Sequence, residues 1–228
     1  MTNYLLAGGG TGGHVNPLLA LAEKIRDANS GDQVVALGTK EGLESRLVPM
    51  RGFELQTIEK LPFPRRLDGY ALKFPLRFSK AVKQIEKLIQ DRKIDLLVGF
   101  GGYASAPAYL AAQRSGIPYV VHEANALPGL ANRLGAKKAA AVAVAFASTK
   151  LPKAVFTGMP LRKEIQDSIS SLDVAAARRA LGLDPNSTTL LVTGGSLGAR
   201  RINEAILGSA SALDAAGVQV LHITGGNS

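Results

Sequence analysis

Three times along this chain a short apolar run ends in a cluster of glycines that opens directly into a helical pattern: at Gly8, at Gly99 and at Gly194. A strand that hands over to a helix must cross back before the next parallel strand can join it. Repeated units of this kind therefore fold as a parallel sheet flanked by helices. Runs at residues 4–7, 33–37, 54–58, 95–98, 118–121 and 141–145 read as buried strands. The patterns at 17–28, 41–50, 74–91, 104–114 and 129–136 read as the helices between them. In such sheets ligands bind off the carboxyl ends of the strands, which is where the glycine loops fall.

Glycine and proline interrupt the pattern at Thr157-Gly158-Met159-Pro160, which sets an expected boundary between residues 1–157 and 158–228. Beyond it come a polar helix at 173–181, a strand at 188–192, the third glycine loop, a helix at 199–215 and a strand at 218–223. The expected class is α/β: two Rossmann-like, doubly wound parallel-sheet domains, the second incomplete within these residues.

Composition narrows the chemistry. There is no cysteine, which removes disulfides, thiolate metal sites and a cysteine nucleophile. With 46% hydrophobic residues and only 20% charged, the chain is not disordered as a whole. With no cysteine an oxidising compartment is not required and cytosol is the default; no run approaches 18 apolar residues, and Met1 to Gly8 does not read as a signal peptide. The formal charge of +9 is concentrated: residues 60–93 hold ten Lys/Arg against three Asp/Glu, a local +7. In that segment Leu61-Pro62-Phe63-Pro64-Arg65-Arg66, Tyr70, Phe74, Leu76 and Phe78 interleave apolar and basic side chains. Such a surface suits an anionic bilayer. Nucleic acid is the rival partner of any basic patch, but no recognised nucleic-acid motif accompanies it. A solvated charged helix is the plainer alternative.

The loop Gly8-Gly9-Gly10-Thr11-Gly12-Gly13-His14 follows the first strand and satisfies G-x-G-x-x-G. Free amides at a helix start attract a phosphate, although a tight turn without ligand fits the same letters. A dinucleotide site would want an acid at the end of the second strand, where only a displaced Glu41 is offered. His14, at the helix start, suits a general base, a phosphate donor or a cap. Gly99 to Ser105 forms a second glycine loop, either an anion cradle or close strand–helix packing. His122-Glu123-Ala124-Asn125 gathers a base, an acid and an amide at another strand end, or a purely structural network. Gly194-Gly195-Ser196-Leu197-Gly198 satisfies G-x-S-x-G, but only Asp214 and His222 follow to complete a triad. Ser196 reads better as a phosphate ligand. Neither a G-x-x-x-x-G-K-[ST] loop nor a D-x-D pair is present, so no metal-held nucleotide is indicated.

Taken in order, GGGTGGH, GFGGYASAP, HEANALPGLAN, TGMPLR and GGSLGAR resemble the MurG family of bacterial N-acetylglucosaminyltransferases, which convert lipid I into lipid II. The resemblance runs through essentially the whole chain. It implies a GT-B fold, UDP-N-acetylglucosamine as donor, inversion at the anomeric carbon, and a lipid-linked muramyl-pentapeptide acceptor. Location at the cytoplasmic face of the membrane, as a peripheral protein, is implied as well. By motif, Thr11, Gly12, Gly13, Asn125, Arg162 and Ser196 fall at the family's nucleotide-sugar contacts. His14, His122 and Glu123 match residues associated with activity, with His14 the preferred base. Ala124 departs from the pattern, since many relatives have Gln there. Helix N-termini and Arg162 would stabilise the leaving diphosphate, with no metal and no cofactor. Residues 1–157 would be the acceptor- and membrane-facing domain, and 158–228 the first part of a nucleotide-sugar domain. Relatives continue past the position of Ser228, so the 228 residues alone are expected to be inactive. The alternatives are a non-catalytic nucleotide- or acceptor-binding fragment, another GT-B lipid glycosyltransferase and, more distantly, an NAD oxidoreductase.

Overall fold

The computed structural model describes the chain except residues 65, 67, 195–197 and 227–228. Two compact units emerge, Met1–Gln166 and Asp167–Ser228.

The first unit is a seven-stranded, wholly parallel sheet. Its strands are β1 (Asn3–Ala7), β2 (Gln33–Thr39), β3 (Glu54–Ile58), β4 (Leu96–Gly99), β5 (Tyr119–Glu123), β6 (Ala141–Val144) and β7 (Ala154–Phe156), in the order β3-β2-β1-β4-β5-β6-β7. The helices are α1 (Gly12–Ala28), α2 (Glu44–Met50), α3 (Gly69–Asp91), α4 (Ser105–Arg114) and α5 (Leu130–Gly135), with α6 (Lys163–Ser171) carrying the chain across the division between units. Both faces of the sheet are covered, which is why its strands read as continuous apolar runs rather than alternating ones. Side chains still alternate by position. Leu5, Ala7, Val35 and Leu37 pack with Val82, Ile85 and Ala108 on one face. Leu6 and Ala36 pack with Val15, Leu18 and Val48 on the other.

The α/β class read from the sequence is the one observed; the differences lie at element ends and in a few short elements. α1 winds from Gly12 instead of residue 17, because packing of the fully buried Val15 carries a turn ahead of Pro17. α3 starts at Gly69, not residue 74, since Asp68 caps it by accepting from Tyr70 N and Ala71 N, each at 3.0 Å. β7 and α6 were not foreseen: three residues on a sheet edge leave almost no apolar signature.

In the second unit, β8 (Thr189–Thr193) and β9 (Gln219–Ile223) pair in parallel. α7 (Val174–Ala180) is capped by Asp173, whose carboxylate accepts from Ala176 N at 2.9 Å. The helix expected over 199–215 is two, α8 (Arg200–Gly208) and α9 (Ala210–Ala215), divided at the poor helix formers Gly208 and Ser209.

Candidate functional site

Strand order reverses direction between β1 and β4, and the crevice off their carboxyl ends is where open α/β sheets place ligands. β1 ends at Ala7 and the first glycine loop leads to Thr11, the N-cap residue of α1. Thr11 makes no side-chain cap, and the helix carries no acid in its first turn. Its amides at Gly12 and Gly13 are left for an anion. His14 stands on the same turn, half-buried, with Nδ1 3.0 Å from Gly9 O and 3.3 Å from Thr11 Oγ1. A carbonyl only accepts, so Nδ1 carries the proton and Nε2 presents its lone pair. The second glycine loop closes over this turn. Gly102, at φ +82°, lies so near that a Cβ there would meet Gly9 O at 2.5 Å, and one on Gly101 would meet His14 Nε2 at 3.0 Å. The second loop does not offer all its amides to an anion: Gly101 N donates to Ser105 Oγ at 3.0 Å.

The acid that answers the first loop is Glu44, not Glu41. Its carboxylate is fully buried and accepts from Thr39 N (2.8 Å), Thr39 Oγ1 (2.9 Å) and Gly10 N (2.8 Å). A dinucleotide ribose needs an acid free at the end of β2. Here the acid at that position is turned inward and consumed by backbone, which leaves the nicotinamide-cofactor reading without its defining contact. The sequence signal was Gly9, Gly38 and Gly42, whose Cβ atoms would all fall on the Glu44 side chain.

At the end of β5, Glu123 is 1% exposed. One carboxylate oxygen accepts from Asn125 N and Nδ2 (2.9 and 3.0 Å); the other accepts from Gly129 N and Asn132 Nδ2 (2.9 and 3.0 Å). Asn132 also donates to His122 O at 3.0 Å and accepts from Tyr109 Oη at 2.7 Å. This network shapes the loop that displays Asn125, an exposed residue. His122 is 4% exposed, tilted against Phe100, with Nε2 3.3 Å from Gly158 O. Burial holds its imidazole below the ordinary histidine range, partly offset by the Gly158 carbonyl and the Glu123 charge. Its Nδ1 is buried without a hydrogen-bond partner. Of the three candidate catalytic side chains, His122 and Glu123 are buried and only His14 is partly exposed.

Arg162 is brought to the same crevice. Gly12, Gly13, Asn16 and Pro17 of α1 face Met159 to Arg162 and Ile165 across a cleft of about 270 Å³. A helix N-terminus and a guanidinium on one cleft favour an anion with distributed charge, such as a diphosphate. Ser196 lies outside the described residues. The triad reading finds no support in its other members, since His222 Nε2 pairs with Asn203 Oδ1 at 3.0 Å.

Along α3 the exposed residues Leu72 (84%) and Leu76 (77%) share a face with Lys80 and Lys83, and Lys73 adjoins them. Phe63, Phe74 and Phe78 line an apolar groove of about 350 Å³ with Leu110 and Leu134. Arg77, which the sequence places among the free basic residues, is spent locally. It pairs with Glu59, lowering that carboxyl's pKa, and stacks over Tyr70 at 5.2 Å. Arg65 lies outside the described residues. Among the described residues no helix is long and apolar enough to cross a membrane.

Residues 4–144 match the glycosyltransferase family 28 N-terminal domain, and residues 189–228 match the family's C-terminal domain. A Clavibacter michiganensis protein named UDP-N-acetylglucosamine--N-acetylmuramyl-(pentapeptide) pyrophosphoryl-undecaprenol N-acetylglucosamine transferase is 59% identical over 227 residues, covering 99% of this chain and 62% of its own. The Streptomyces coelicolor protein of the same name is 51% identical over 227 residues, covering 98% and 61%. The crystal structure of Acinetobacter baumannii MurG superposes with a TM-score of 0.71 at 26% identity, covering 98% of this chain and 66% of that one. The chain thus spans about three-fifths of the length of these curated relatives.

Proposed function

This chain belongs to glycosyltransferase family 28, and from that footing we propose that it serves the transfer of N-acetylglucosamine from UDP-N-acetylglucosamine to the muramyl-pentapeptide of lipid I, giving lipid II. The observation that carries the reading is His14: it stands on the first turn of α1, whose amides are open to an anion, and Gly9 O holds its Nδ1–H, which leaves Nε2 as the acceptor. The acceptor hydroxyl attacks the anomeric carbon as the bond to UDP breaks. His14 Nε2 takes the hydroxyl proton, and the UDP diphosphate leaves with the bonding pair. Thr11, Gly12, Gly13 and Arg162 stabilise that growing charge through amides, helix dipole and guanidinium. Glu123 and His122 act one step back, shaping the loop that presents Asn125 to the nucleotide sugar. By its motif alone, Ser196 would be a further phosphate ligand.

The first unit takes the acceptor and rests on the cytoplasmic face of the membrane as a peripheral protein; 158–228 begins the nucleotide-sugar domain. The face of α3 with Leu72, Leu76, Lys80 and Lys83 supports this, since each basic residue near an anionic surface contributes about 1 kcal/mol. The test uses a chimera in which residues 1–228 replace the matching segment of a longer family 28 relative. On anionic vesicles carrying a lipid I analogue it should release UDP only when donor and acceptor are both present. Raising the salt, or changing Lys73, Lys80 and Lys83 to Ser, should strip protein from the vesicles. UDP release independent of acceptor, or vesicle binding indifferent to both changes, would count against the corresponding half of the proposal.

A further inference from the structure

Glu44 is a buried carboxylate that the transfer chemistry above does not use, yet it meets the candidate base across a single peptide unit. Gly10 N–H donates to Glu44 Oε2 at 2.8 Å. The carbonyl of that same unit, Gly9 O, accepts from His14 Nδ1 at 3.0 Å. A planar trans peptide points its N–H and C=O in opposite directions, so carboxylate and imidazole grip the two ends of one conjugated group. Charge drawn towards the N–H enriches the carbonyl oxygen, and bonds linked in this way strengthen one another by roughly 10–30% each.

We infer that Glu44 is a positioning residue for His14, acting through the Gly9–Gly10 peptide to hold the proton on Nδ1 and leave Nε2 as the acceptor. The inference rests on the reading of His14 as the base. The surroundings are built for the bridge. A Cβ at Gly9, Gly38 or Gly42 would come within 2.3, 2.3 or 2.0 Å of the Glu44 side chain, so three glycines leave room for one carboxylate. Its other oxygen is fixed by Thr39 N and Oγ1. The second glycine loop lies close to the bridging unit, since a Cβ on Gly102 would meet Gly9 O at 2.5 Å.

The test reads the His14 ring by ¹⁵N NMR in the 228-residue chain, with no sugar donor or acceptor present. In the wild type the neutral ring should be the Nδ1–H tautomer. In Glu44→Gln the amide oxygen can keep Thr39, but its NH₂ then opposes Gly10 N–H, so the bridge breaks. Gly10 amide exchange should accelerate about tenfold or more, and His14 should pass to a mixture of tautomers. Thr39→Val removes a donor to Glu44 without touching the bridge; it should lower the melting temperature and leave the tautomer unchanged. A merely structural Glu44 predicts that both variants destabilise and neither changes the ring, and that result would overturn the inference. Should Glu44→Gln fail to fold, the wild type decides. Scalar coupling across the hydrogen bond from Gly10 N to Glu44 Cδ, together with the Nδ1–H tautomer, upholds the bridge, and absence of either overturns it. Because no sugar enters the measurement, the bridge can fail while the transfer reading stands, and the reverse.

Discussion

Replacing His14 by alanine in the chimera should lower turnover roughly 100-fold or more, the usual scale for a lost general base, with the fold intact. The expectation rests on the ring's disposition. His14 is half-buried on the first turn of α1, and among the described residues the contacts of its ring, Gly9 O and Thr11 Oγ1, both engage Nδ1. Removing the imidazole therefore deletes the Nε2 acceptor and two contacts of Nδ1 in the loop, and His14 is not part of the buried core. Steady-state rates of UDP release, alongside a urea unfolding curve, separate the two effects. A purified His14→Ala protein turning over at the wild-type rate would remove this residue from the mechanism.

Glu123→Ala should do the opposite: cost about 3–5 kcal/mol of stability in the first unit before any effect on chemistry can be read. Four donors, from Asn125, Gly129 and Asn132, point at that carboxylate, and the residue is 1% exposed. Truncation takes the acceptor from all four, and Asn132, itself 1% exposed, keeps only its bonds to His122 O and Tyr109 Oη. A loss of this size is a large fraction of a domain's typical 5–15 kcal/mol. Urea unfolding of the variant within about 1 kcal/mol of the wild type would show the network to be dispensable, and would return Glu123 to the list of direct participants.

The contrast between these two residues marks how far sequence reasoning reaches. Repeated strand–glycine–helix units fix a parallel sheet because the crossover leaves no other arrangement, and six of the seven strands of the first unit were legible from apolar runs alone. β7 was not, because three edge residues with an exposed Val155 and Phe156 carry no burial pattern. The loops at Gly8 and Gly99 were correctly placed at strand ends, whereas His122 and Glu123, expected just past a strand, are the last two residues of β5. Their internal division of labour was not legible, because it depends on which way a side chain turns. His122 and Glu123 are buried, whereas His14 is half-buried on the first turn of α1. Glu44 escaped notice since its partners lie at Thr39 and Gly10, the latter 34 positions away in the chain, and nothing local marks a helix-start glutamate as buried. The glycines around it were the available clue.

The central claim is a single displacement at the anomeric carbon, with His14 taking the acceptor proton as the diphosphate leaves. Its most direct measurement is the configuration of the product sugar, read by NMR from the anomeric proton after transfer by the chimera. The donor is α-linked, so one in-line displacement must give a β-linked product, formed only when the acceptor is present and lost in parallel with His14. An α-linked product, or free N-acetylglucosamine released at the same rate without acceptor, would contradict the account.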